Sequence, residues 1–191
     1  MTLVDRVRNI CVSPNTEWPV IEQERTSPSE LVTGYLLPLA AIGAVASFIG
    51  SSFIGVFGIR ASLVSGLVTA CLMIVMTMIG CFVIGLIINA LAPTFGGRQD
   101  ANQAFKTSVY CYTPVLVGGI ANLLPAIGTL IGFVAAIYSL YLLYLGLPVM
   151  MKAPQDKAPA YTLVVVVCSI VLGAVIAFVF AAFGLAGASM L

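Results

Sequence analysis

The 191 residues are 61% hydrophobic and only 8% charged, with a net charge of +1 and a mean hydropathy of +1.13. A soluble domain carries about 25% charged residues, and one of this size still shows much of its area to water, so lipid is the solvent for most of this chain. The small net charge, with no basic stripe, excludes nucleic acid as a partner.

The N-terminal residues are the most soluble-looking part. Leu3, Val4, Val7, Ile10 and Cys11 recur at helical spacing with Asp5, Arg6, Arg8 and Asn9 between them. This pattern predicts a short amphipathic helix lying on the membrane surface and ended by Pro14. Trp18, set among Glu17, Pro19, Val20, Ile21, Glu22 and Glu24, reads as an interfacial anchor. No basic stretch runs directly into a short apolar core, so the segment is not read as a signal peptide. Residues 1–27 form a cytoplasmic amphipathic segment in this reading, and 28–191 a membrane domain.

Ser27-Pro28-Ser29-Glu30 is a helix-start signal: serine to cap, proline where no N–H is needed, and an acid three residues after the cap. It opens a first span over 28–52. A second run, 63–91, exceeds the roughly 20 residues that cross a bilayer and must tilt or project. After the polar break at 93–103 come spans over 104–124, 129–151 and 161–187. The fold class is an all-α integral membrane protein, a compact bundle of five transmembrane helices with the amphipathic helix before it.

Five spans put the termini on opposite sides. With the N-terminus in the cytoplasm, Arg6, Arg8, Arg25, Arg98, Lys106, Lys152 and Lys157 are cytoplasmic and only Arg60 lies outside. That bias selects N-terminus in and C-terminus out. Small residues recur every four positions at Gly43, Ser47 and Ser51, at Gly128, Gly132 and Ala136, and at Gly173, Ala177 and Ala181. Such stripes let membrane helices approach closely, and one of them facing a second copy would make a homo-oligomer.

The chemistry-bearing residues are few. The five cysteines have no framework spacing, and four sit in apolar runs, as small buried hydrophobes do. There is no histidine, and Glu30 and Lys106 fall in the opening turns of their runs, so no ionisable group is read deep in the membrane. Nothing pairs a nucleophile with a base, clusters metal ligands or forms a phosphate loop. The expectation is no enzyme, no catalytic residue, no cofactor and no metal. The remaining intramembrane candidates are uncharged. Pro38 and Pro114 free the carbonyls of Gly34 and Tyr110, and Tyr138 and Tyr141 share a helix face with hydroxyls that need partners. Tyr144 fits an aromatic belt, and Asn89 and Asn122 sit near span ends. Tyr35 to Gly43 and Tyr112 to Gly118 also look like two copies of one proline-containing segment. On the cytoplasmic side, Arg98, Lys106, Lys152 and Lys157 mark a mixed-charge partner surface.

Tyr138 to Pro148 followed by Met151-Lys152, Lys157 and Tyr161-Thr162 resembles the signature of bacterial Yip1-domain proteins. So do Ala104-Phe105-Lys106 with Tyr110, Pro114, Gly118-Gly119 and Pro125, and the segments Val4 to Pro14, Trp18-Pro19, Gly34-Tyr35 and Pro38. The resemblance covers nearly the whole chain and implies a polytopic inner-membrane protein with a cytoplasmic N-terminus. Eukaryotic relatives act in vesicle traffic and bind prenylated small GTPases, with an Asp-Leu-Tyr-Gly-Pro type motif before the first span. Here that place holds Glu30-Leu31-Val32-Thr33-Gly34-Tyr35, so GTPase binding is not carried over. Two functions remain. One is a non-catalytic adaptor or scaffold that meets lipid all round and a protein partner at its cytoplasmic face. The other is a channel or facilitator for a small ion or neutral solute.

Overall fold

A computed structural model describes residues 2–55 and 60–188, and every regular element among them is helical. Two short helices, α1 (Leu3–Val12) and α2 (Pro14–Gln23), form a hairpin. Then come α3 (Pro28–Ile54), α4 (Leu63–Leu91), α5 (Ala101–Cys111), α6 (Thr113–Gly118), α7 (Pro125–Met150) and α8 (Ala158–Ala188). Of these, α3, α4, α7 and α8 are long and apolar enough to cross a membrane.

Local chemistry sets the starts. Ser27 and Glu30 form the expected reciprocal capping box at Pro28, and Thr2 with Asp5 forms a second one that opens α1. The acid in each box reaches back to a free N–H at the helix start. Hydrogen bonds from Thr2 are the largest influence on Asp5 and hold its carboxyl below the ordinary aspartate value.

The two prolines are accommodated in different ways. Ahead of Pro38, α3 widens into a π turn over Val32–Leu36, in which the Leu37 N–H reaches back to the Val32 carbonyl. An inserted residue of this kind absorbs a proline without ending the helix. Pro114 instead follows a break at Tyr112, which separates α5 from α6. The run expected as one span over 104–124 is therefore a discontinuous rod of α5, α6 and a 3₁₀ stretch, Gly119–Leu123. Residues 104 to 111 are all buried, so the α5 half of the rod sits in the core, whereas Tyr112, Ile120 and Leu123 farther along it are exposed. It starts where the Arg98 N–H meets the Met151 carbonyl at 2.7 Å and ends packed on α3. Its ends therefore lie at opposite ends of the bundle.

Glycine permits that second contact. A Cβ at Gly50 would lie 2.0 Å from the Asn122 carbonyl oxygen, and one at Gly119 would lie 3.1 Å from the Gly43 Cα. The Gly43 stripe is thus used in packing. The second stripe packs only at Gly128, where a Cβ would lie 2.6 Å from the Asn122 side-chain oxygen; Gly132 and Gly173 have nothing within 4 Å of where a Cβ would stand, and Ala136 and Ala177 are exposed.

Large exposed apolar side chains run from Leu37 to Ile54 on α3, from Leu63 to Leu86 on α4 and from Ile127 to Leu140 on α7, with Tyr141 and Tyr144 beyond. This band is the surface that contacts lipid. At 29 residues α4 is about 43 Å long against a hydrocarbon core of about 30 Å, so the helices project past the band at one end. All of the charged residues except Arg60 belong to that end, and there the α1–α2 hairpin is docked.

Candidate functional site

Helices of ten residues are marginal in water by themselves, so what holds the hairpin must come from the bundle. Arg6 is 6% exposed, and its two terminal nitrogens donate to Glu17 on α2 and to Glu24 just beyond it. The same guanidinium lies 5.8 Å from the centroid of the Tyr110 ring, a cation–π distance. Tyr110 in turn packs on Tyr35 at 4.9 Å between centroids, and the Tyr35 hydroxyl shares a 2.8 Å hydrogen bond with Thr113. Burial works against the charge on Arg6. The bond to Glu24 and the surrounding carboxylates outweigh it and raise the guanidinium pKa above its ordinary value.

The rod supplies the rest. Lys106 donates to the Ile21 and Glu24 carbonyls, both at 2.8 Å, Gln103 to the Glu22 carbonyl at 2.9 Å, and Asn102 to the Thr26 carbonyl at 3.1 Å. Ile21 and Glu22 lie in the last turn of α2, where carbonyls have no donor within the helix. Gln103 and Lys106 of α5 thus cap α2 while Asn102 holds the connection after it, and the ammonium also meets the negative end of the α2 dipole. Tyr138 does the same for α1, donating to the Cys11 carbonyl at 2.8 Å. Burial raises the Cys11 thiol pKa. Tyr161 repeats the device on α4, its hydroxyl donating to the Ile88 carbonyl.

Shape completes the dock. Trp18 is fully buried, and a Cβ at Gly146 would lie 2.7 Å from its ring. With Cys11 at Tyr138, Trp18 at Gly146 and Glu22 paired to Lys152 at 3.0 Å, the hairpin runs alongside the last turns of α7. Twelve residues separate Tyr138 from the end of α7, about 18 Å at 1.5 Å per residue.

These placements correct three expectations. Trp18 is not an interfacial anchor but the plug of the dock. Instead of lying free on a membrane surface, α1 is pinned through its Arg6 and Ile10 face. Lys106 is 1% exposed with its donors spent on carbonyls, so it is no part of an open partner surface. Arg98, Lys152 and Lys157 are exposed, beside Arg8, Arg25, Asp100 and Asp156. Of the intramembrane candidates, Tyr110 and Tyr138 serve the dock, Pro114 is buried, Pro38 half-buried and Tyr141 45% exposed. None of them lines the groove beside α4 and α8 or the cleft between Glu22 and Gln103.

The residues that reasoning from the sequence missed, Arg6, Glu17, Glu24, Trp18, Tyr35 and Thr113, carried one usable signal. Arg6 and Ile10 are four apart, and Glu17, Ile21 and Glu24 follow at four and then three. Both sets mark a single face holding charge and apolar bulk together.

A family model described as Yip1 domain matches residues 8–189, which takes in α2 and the second half of α1. The chain is 30% identical over 156 residues to the inner membrane protein YohC of Escherichia coli K12, covering 78% of this chain and 80% of that one. The YohC protein of Escherichia coli O6:H1 matches to the same extent. No solved structure matches the chain significantly.

Proposed function

The chain belongs to the Yip1 domain family and is a multi-pass inner-membrane protein, and from that premise we propose that it is a non-catalytic membrane adaptor or scaffold whose hairpin-capped end binds a protein partner. One observation carries this reading. The hairpin, the 92–100 connection and the 151–157 connection are tied to one another by Arg6, Lys106, Gln103 and the Arg98–Met151 bond, so their exposed charges form one fixed surface. Fixed, charged, exposed connections are suited to recognition.

That end faces the cytoplasm because seven basic residues lie there and only Arg60 at the other. The rod of α5 and α6 is the fifth crossing, tolerated as broken backbone because it is buried in protein. The channel alternative draws no support from Pro38, Pro114, Tyr138 and Tyr141, none of which lines the groove beside α4 and α8 or the cleft between Glu22 and Gln103.

Crosslinking in native membranes followed by mass spectrometry tests the adaptor reading. A stoichiometric partner captured by the natural chain and lost in a copy carrying Arg98→Glu and Lys157→Glu is the expected result; equal capture by both would sink it. Orientation is tested separately. Thiol labelling from outside intact cells should reach Arg60→Cys and reach Asp156→Cys only after lysis, and the reverse order would invert the topology.

A further inference from the structure

On the far side of the rod from the hairpin, a groove of about 570 Å³ opens at mid-depth of the bundle, between α4, the α5–α6 break, α7 and α8. From this groove we infer that the protein holds one acyl chain of a membrane lipid. Its lining is almost wholly apolar, with Met73, Met76, Ile84, Leu143, Val166 and Ile176 on its walls. No charged side chain lines it, so it is unsuited to holding an ion. Four helical segments each bring a hydroxyl: Thr77, Ser108, Ser139 and Ser169. Three of these are bonded to backbone carbonyls, and the Ser139 hydroxyl is buried with no partner.

The occupant follows from where the groove opens. Phe133, Ile137 and Leu140 on α7 and Ile170 on α8 line it and are between 41% and 67% exposed. They belong to the band of exposed apolar residues that meets lipid, so the mouth is continuous with the bilayer contact. The volume sits inside the range of roughly 300–1,000 Å³ typical of small-molecule sites. Met73 to Ile84 on α4 spans about 16 Å along the helix, so the groove runs lengthwise, as an acyl chain does. Cys111, Tyr112 and Val115, at the break between α5 and α6, form the groove's floor on the rod side. This site stands apart from the capped end and does not depend on a cytoplasmic partner.

Photo-crosslinking with a phospholipid carrying a diazirine midway along one chain, in nanodiscs of the full-length protein, tests it. Mass spectrometry should find the adduct concentrated on groove residues such as Met73, Met76 and Ser139. Gly173→Phe fills the groove from a position where a Cβ meets nothing within 4 Å, and it should lower that adduct severalfold. Gly132→Phe has equal room for a Cβ but lies outside the lining, and should leave the adduct unchanged. Labelling spread evenly over exposed positions such as Val64 and Phe178, or unmoved by Gly173→Phe in a variant with a native melting point, would overturn the proposal. So would displacement of the adduct by free fatty acid with the bilayer intact, or crosslinks at Ile137 between two copies of the chain.

Discussion

The hairpin-capped end and the mid-membrane groove are built from the same helices by opposite means. At the capped end, the helix ends are closed by side chains from another element: Lys106 and Gln103 on α2, Tyr138 on α1, Tyr161 on α4. At mid-depth directional contacts between helices are few, Gly132 and Gly173 have nothing packed against them, and space is left open. Water would compete for every backbone group at the projecting end, so geometry there must be specified bond by bond. Within lipid the helices satisfy their own backbone and apolar surfaces gain little by choosing protein over lipid. Loose packing there costs less and leaves room for a chain of the bilayer.

The sharpest way to break this contrast is to remove the charge at the centre of the dock. Arg6→Met leaves Glu17 buried without its partner, and losing one side of a buried pair costs about 3–5 kcal/mol. Hydrogen exchange should rise over α1 and α2 while α4 and α8 stay protected, and adding Glu17→Met should recover much of the loss. Uniform exchange across the whole chain would show that the two regions are not separable. Lys106→Met comes next, with two carbonyls losing a charged donor at about 1.5–3 kcal/mol, and the loosening should be confined to the last turn of α2 and the 24–27 connection. Tyr138→Phe is smaller, about 1 kcal/mol, and should show as faster exchange around Cys11 alone.

What could be read from the residues divides along the same line. Apolar run lengths located α3, α4, α7 and α8, because a bilayer imposes a length and a composition that one segment satisfies alone. The Ser27 box was legible for the same reason, all of its atoms lying within four residues. The dock was not. Lys106 looked like a loop charge because its partners are carbonyls, which exist at every position and mark no sequence. Trp18 looked like an anchor because Gly146, the residue that makes room for it, is distant in sequence and common in such helices. The break at Tyr112 was hidden in an apolar run whose proline α3 tolerates at Pro38 by a π turn, a choice set by what surrounds each proline and not by the proline.

Glycine offers the most direct comparison, since one substitution can be made in both regions. At Gly146 a methyl group would press on the Trp18 ring at 2.7 Å, and Gly146→Ala should cost about 1–3 kcal/mol by overpacking. At Gly173 it meets nothing, and Gly173→Ala should be neutral or should stabilise α8 by up to about 1 kcal/mol, because glycine is the more costly residue inside a helix. Thermal midpoints measured in the same nanodisc separate the two. If Gly173→Ala destabilises as much as Gly146→Ala, another surface, from lipid or from a second copy, is seated tightly against α8. The open side of the bundle would then be as closely specified as the dock.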